Sequence, residues 1–549
     1  MLIQLRTLEQ DMHLSRPASS QLRAVKLRAT VLAGFLLAAV SVIAPLAASA
    51  TIRTPIISRG AWTVYHHDNA HTGYDPTLGQ VQHIQAGWVS PTMDAQVYAS
   101  PLVYGGIVYA ATLNNTVYAF NQIDGSLIWS KHLRAPESSG WSCGNVSPQG
   151  ILGTPVIDPG TSRIYVATLD GGDDKYRLEG LRLSDGLEQV NTLITAPASG
   201  FDWTIEQERG ALAVANGYVY VPFGGRAGDC GNYHGYVFAV PTDGSAVTHY
   251  YQTPGQGMGI WSGGGVVVDD STGKVFVTTG NGTGSGCDNN VDGTAKFEND
   301  AVVRLSSTLA HEDAFYPEDW QNNWCGNDMD LGSASAVILS PSLMFASGKW
   351  GTGFLLNPNS LGGMGGQLYP AAHTDTADTC LGNHSDATFG SYAYAAPYVY
   401  VECEGQGLVG ISVNTGTPSF SDCDPTCGLP DWNAGCCSTF GPPIVAGGMV
   451  YAATSGGGLF AFRALSGAPF YQSASFGINR FVTLAEAGGQ LFVPSHTVIR
   501  SFNLLTGTSQ SVPGTPPSRP TGPFQVPTAT PNGRQAVPQS TPVPPPLGR

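Results

Sequence analysis

Cys325–Ser333 reads CGNDMDLGS, and it places two carboxylates, Asp328 and Asp330, one residue apart in a chain whose charged residues amount to 12%. An ionised carboxylate held within hydrogen-bond reach of a hydroxyl is what a general base requires. The same pair could instead cap a turn, because aspartates readily accept bonds from nearby backbone amides. Three further stretches carry reactive residue types. His66-His67-Asp68-Asn69-Ala70-His71 has three imidazoles without recognisable metal-ligand spacing, so polar surface is the expected setting. Gly140-Trp141-Ser142-Cys143-Gly144 fits G-x-S-x-G, but a nucleophile elbow needs a strand running into a helix, and no helix is expected after it. DNNVDGTAKFEN (288–299) opens like a calcium loop, yet its Glu298 comes one residue early and no flanking helices are visible.

The positions of these groups depend on the elements around them. The 549 residues include 70 Gly and 38 Pro, with 10% aromatic residues; many Val-Tyr-Val runs separated by Gly describe short strands joined by tight turns. A formal charge of −15 with only 25 Lys and Arg argues against a nucleic-acid partner, which needs clustered basic side chains.

Arg23, Lys26 and Arg28 precede the uncharged run ATVLAGFLLAAVSVIAPLAASA. That pattern is expected to be an export signal (1–50) cleaved after Ala50, with an uncleaved anchor as the alternative. Export places the ten cysteines, at 143, 230, 287, 325, 380, 403, 423, 427, 436 and 437, in an oxidising compartment, secreted or periplasmic, where an even number reads as disulfides of undetermined pairing. The C-x₃-C-x₈-CC spacing of the last four matches no common zinc finger. No C-x-x-C-H occurs, so no covalent haem is expected.

One unit recurs through the chain. SPLVYGGIVYAATLNNTVYAFNQIDGSLIW (100–129) reads as four short strands, and looser copies follow at 153–190, 211–247, 263–309, 333–362, 391–416, 441–467 and 482–507. Four-stranded units that cannot cover both faces alone must stack radially. The expected fold is all-β, an eight-bladed propeller over residues 51–511, with AGWVSPTM (86–93) closing the last blade and removing its exposed edge. From about Val512 the chain is too Pro-rich to pack, and a disordered tail (512–549) is expected.

The repeat VYAATxxxxVYAFNxxDGxxxW closely resembles that of the quinoprotein-like propellers, which include pyrroloquinoline-quinone (PQQ) dependent alcohol dehydrogenases and non-enzymatic outer-membrane assembly scaffolds. The resemblance covers roughly residues 60–508 and speaks for fold more than for activity. It implies roles for particular residues. Trp261 matches the indole floor on which the quinone stacks, and Asn281 in TGNG matches an amide ligand of a calcium ion beside it. Asp330 is the best match to the general base, with Asp328 its neighbour, and Lys349 falls where a cation faces the quinone oxygens. Each also has a structural reading: a packing Trp, an Asn-Gly hairpin turn, a turn-capping Asp pair, an exposed Lys. Parts of the pattern are changed. Where adjacent cysteines and a following Arg are expected, WSCGNVSPQG has Ser142-Cys143 and Gln149. Where a calcium-binding Glu should precede YHGYVFAV, Asp229 and Cys230 stand, with Asp229 a substitute ligand. The resemblance therefore implies either a monomeric PQQ- and Ca²⁺-dependent oxidoreductase acting on an alcohol or sugar hydroxyl with a separate electron acceptor, or a non-catalytic scaffold binding protein or glycan in the cell envelope.

Overall fold

Short runs of β-branched and aromatic residues broken by Gly and Asn can only make short strands with tight reversals. In the computed structural model, residues 60–195, 200–282, 298–318, 324, 328–370, 377–380, 385–420, 431–435 and 441–507 are described. The chain divides after Pro55, and every described residue lies in the unit Ile56–Arg549. They form eight small sheets and no α-helix, so the protein is an eight-bladed β-propeller, as the repeat requires. The signal segment, the Pro-rich tail, most of the 288–299 loop and Cys287, Cys325, Cys423, Cys427, Cys436 and Cys437 lie outside the described residues.

Blade one is representative: Leu102–Tyr104, Ile107–Ala111, Thr116–Asn121 and Leu127–His132 pair in order, all antiparallel. Its first hairpin turns on Gly105-Gly106, both at positive φ (62° and 81°), the backbone that a two-residue turn matching the strand twist demands. The first strands of the other blades are Val156–Asp158, Ala213–Ala215, Val267–Asp269, Val337–Ser340, Ala393–Ala395, Ile444–Ala446 and Ala485–Ala487. Blade five shows three strands among the described residues, and Gly363–Met364 crosses to extend blade four in parallel. The closing strand is Val81–Val89, paired with Val498–Thr506. It therefore starts earlier than the expected 86–93 segment and overlaps it over only a few residues. Val81 is buried, but Gln82, His83 and Gln85 after it are exposed and polar, so the first half of the strand carries little hydrophobic signal.

The tryptophan in the repeat holds blades together. Trp88, Trp129 and Trp432 donate their indole N–H to the carbonyls of Gln122, Leu183 and Ala464 in the following blade, at 2.9, 3.0 and 3.1 Å. A Cβ on Gly125, Gly186 or Gly467 would sit within 2.4 to 2.7 Å of these indole rings. The Gly of one blade's turn is thus the seat of its neighbour's Trp, which accounts for both residues of the DGxxxW pattern.

The HHDNAH stretch is not polar surface. Residues 60–75 run along the exposed edges of the first strands, visiting every blade. Gly60 packs on Ala487 and Gly488 of blade eight. Trp62 exchanges backbone bonds with Val103 of blade one, and the amides of Ile157, Val268, Ile338, Tyr394 and Val445 donate to carbonyls of Thr63, Asn69, Ala70, Thr72 and Gly73. The Asn69 side chain reaches Val214 of blade three. An inner strand edge left bare would strand N–H and C=O groups at the axis, so this plug satisfies them. His66 and His71 are fully buried within it, and burial pushes their pKa values down to about 3 and about 4. Nothing in the histidine spacing disclosed this; it follows from where the segment lies.

Candidate functional site

Within each blade the first two strands are antiparallel, so a residue just before the first and one just after the second emerge at the same rim. Trp261 precedes Val267–Asp269 and Asn281 follows Lys274–Thr278 in blade four. In blade five Asp330 enters through the 3₁₀ turn Leu331–Ser333, and Lys349 follows Leu343–Ala346. Asp229 follows Tyr218–Gly225 of blade three. These five residues and Asp328 line one cavity of about 330 Å³.

Asp330 is the centre of the arrangement. It is 3% exposed, and its carboxylate accepts from Lys349 Nζ at 2.5 Å, the Asn281 backbone N–H at 2.9 Å and, more loosely, Trp261 Nε1 at 3.4 Å. A Cβ at Gly280 would lie 2.3 Å from Asp330 Oδ1; only Gly lets the carboxylate in. Lys349 Nζ also donates to Asp328 at 2.8 Å and stands 5.4 Å from the Trp261 ring centre. Burial disfavours the ammonium charge, but Asp330 and Asp328 outweigh it and hold Lys349 above the ordinary lysine range. Asp328 adopts a left-handed backbone (φ 56°) and its side chain is 74% exposed, so the pair divides into a buried carboxylate and a solvated one. The TGNG stretch is not a hairpin: Thr278 pairs with Val302, far beyond any tight turn. Asn281 meets Asp330 through its backbone.

The cavity has members that the repeat did not single out: Arg209, Arg226, Tyr233, Phe389, Arg480 and Phe481. Arg209, Phe389 and Phe481 each stand four residues before the first strands of blades three, six and eight, on the loop that in blade four carries Trp261 two residues further out. Scanning the loop just before the first strand of every repeat would have found them. The two changed stretches are joined, since Cys143 and Cys230 form a disulfide. Beside it the buried Arg226 donates to Gln149 Oε1 at 2.5 Å and lies 4.3 Å from the Trp141 ring centre. Asp229 Oδ1 accepts from Tyr233 Oη at 2.8 Å. A second described disulfide joins Cys380 and Cys403.

Three carboxyls behind the rim are buried without full pairing. Burial pushes Glu206 up to about 9 and Glu208 up to about 8, and it raises Asp300, beside Asp330, well above the carboxylate range. Their unpartnered oxygens, Glu206 Oε2, Glu208 Oε1 and Asp300 Oδ2, are consistent with carboxyls kept protonated. A carboxyl whose pKa is higher folded than unfolded binds more protons in the native state, so it withdraws stability as pH rises between the two values. Above the ordinary histidine pKa of 6.5 the plug imidazoles are neutral whether folded or not and drop out. Thermal unfolding is therefore expected to move to lower temperature steadily from pH 7 to 9, and Glu206→Gln should flatten that slope. A melting temperature independent of pH over this range would contradict the burial of these groups as acids.

The chain is an eight-bladed β-propeller whose repeat is similar to that of the quinoprotein-like propellers. A family model described as outer membrane protein assembly factor BamB matches residues 39–172 and 88–224. Among solved structures, the quinohemoprotein alcohol dehydrogenase of Comamonas testosteroni aligns with TM-score 0.58 at 15% identity over 83% of each chain. That of Pseudomonas putida HK5 aligns at 0.57 and 14%, over 85% of this chain and 83% of the other. BamB from Moraxella catarrhalis matches at TM-score 0.44 and 13% identity, covering 78% of this chain and 100% of its own. No curated protein matches the chain in sequence.

Proposed function

We propose that the rim cavity binds a flat, carboxylate-bearing quinone of the pyrroloquinoline type and that the protein, exported to the cell envelope, oxidises an alcohol or sugar hydroxyl, with a separate electron acceptor. The observation that carries this reading is the convergence of Trp261, Asn281, Asp330 and Lys349, from two consecutive blades, on one cavity. Arg209, Arg226, Lys349 and Arg480 line the same space and suit a polyanionic ligand, while the indole offers it an aromatic wall. When bound, the quinone would supply the hydride acceptor. Asp330 would take the hydroxyl proton, and the Lys349 ammonium, 2.5 Å from it, places positive charge beside the reacting group.

Calcium does not fit the described residues as they stand. Asp330 is engaged by N–H donors, Asp229 by the Tyr233 hydroxyl, and Asn281 meets Asp330 through its backbone rather than its amide. Among the described residues no group of three His, Cys, Asp or Glu is disposed around a common metal position. No step is therefore assigned to a metal, and the donor set favours a competing reading, a non-catalytic propeller that docks a protein or glycan in the envelope.

Titrating the purified protein with PQQ, with and without Ca²⁺, while following Trp fluorescence and dye reduction across alcohols and sugars, separates the two. Quenching at micromolar PQQ is expected, and Asp330→Asn should lower turnover by about a hundredfold or more, the ordinary worth of a positioned base, with cofactor affinity little changed. Absence of any quenching removes the enzyme and leaves the scaffold. Full turnover in Asp330→Asn would transfer the base to Asp328.

A further inference from the structure

Below Trp261 the axis holds a second cavity, of about 150 Å³, between the rim and the plug. It shares Arg209, Trp261, Phe389, Arg480 and Phe481 with the outer cavity, and Tyr65 of the plug contributes to its lining. Val146 and Leu152 supply apolar wall.

Arg209 is the unusual member. A guanidinium carries five N–H donors, yet Arg209 takes part in no hydrogen bond or ion pair among the described residues. Its recorded partner is the Trp261 ring, 5.9 Å from its centre. Burial, with the like charge of Arg480 adding to it, lowers its pKa. Its acidic neighbour Glu208 is held largely neutral and accepts from the Gly153 amide, while Arg480 is paired with Glu404 at 2.8 Å. The Tyr65 hydroxyl is buried without a partner. A donor-rich cation and aliphatic walls thus line one small space, with a plug tyrosine whose hydroxyl has no partner beside it, and no acidic side chain lines it.

We infer that this inner cavity binds a small organic monocarboxylate, with its carboxylate on the Arg209 guanidinium and its short apolar body against Val146, Leu152 and Phe389. A carboxylate satisfies the planar fork with two parallel bonds, and an aliphatic body of a few carbons uses the walls as water cannot. The site shares Arg209, Trp261 and Arg480 with the outer cavity, but it asks nothing of quinone redox chemistry and would serve a catalytic or a scaffolding propeller alike.

The test uses the full mature chain with butyrate as the probe, read by Trp fluorescence and by thermal shift. Butyrate should raise the melting temperature saturably and change the emission, whereas the uncharged isostere butyramide should do neither. Arg209→Gln should weaken butyrate binding at least tenfold while melting close to the parent, because it removes a half-buried charge that no ion pair holds. Tyr65→Phe should weaken binding a few-fold and decides the matter should the Arg variant misfold. The inference is overturned by no saturable response at tens of millimolar butyrate, by equal responses to butyramide, or by unaltered affinity in Arg209→Gln or, in its place, Tyr65→Phe. A response to chloride or phosphate matching that to butyrate would likewise overturn the organic acid. Since PQQ is absent throughout, failure here leaves the quinone titration standing on its own result.

Discussion

Lys349→Met is expected to destabilise the protein by about 3 to 5 kcal/mol, the usual consequence of removing one partner from a buried ion pair. The Asp330 side chain is 4% exposed and that of Lys349 11%, so water cannot replace the lost ammonium. The Asn281 amide and the Trp261 indole would remain as donors, too little to hold a full charge beside the buried Asp300. Urea unfolding at pH 7 reads the loss. Adding Asp330→Asn to Lys349→Met should recover much of the loss, since the uncompensated charge is then gone. Asp328→Asn, at the solvated end, should stay within about 0.5 kcal/mol of the parent. A Lys349→Met protein as stable as the parent at pH 7 would mean that the pair is not buried, and the electrostatic account of the site would fall with it.

Trp62→Ala should cost a comparable amount, about 3 to 5 kcal/mol for a fully buried indole, and its effect should spread along the axis. Trp62 is 0% exposed, bonds Val103 through both backbone groups and packs edge-on to His67 at 5.0 Å. Loosening it frees one end of a segment whose carbonyls serve blades two, four, five, six and seven. Hydrogen exchange at the amides of Ile157, Val268, Ile338, Tyr394 and Val445 should accelerate in the variant, while amides in the outer strands keep their protection. Unchanged exchange at those five positions would show that the plug is not held from its blade-one end.

How much was legible follows from what kind of signal each feature leaves. The blades were readable because the repeat writes its packing rule into itself: the Val-Tyr alternation, the Gly-Gly turn and the DGxxxW docking pair each have a local cause. Trp261, Asn281, Asp330 and Lys349 were picked out by their likeness to the quinoprotein pattern, and the repeat adds only that residues leaving consecutive blades at one rim can meet. Arg209 and Phe481 come from the corresponding loops of blades three and eight but have no motif around them. The plug left no trace because its role is to supply carbonyls to strand edges, and a backbone carbonyl is the same in every residue. The histidines misled for the same reason, since their burial depends on the plug's path and not on their own type.

The sequence alone determined an all-β ring of eight units and the rim from which its polar residues emerge, because strand period and turn chemistry act over a few residues. Tertiary structure decided which Asp is buried against Lys349, that Cys143 meets Cys230 from another blade, and that the mouth of the axis is stoppered by the chain's own residues 60–75. Those are contacts between segments far apart in the chain, where proximity is set by ring closure and leaves no local pattern to read.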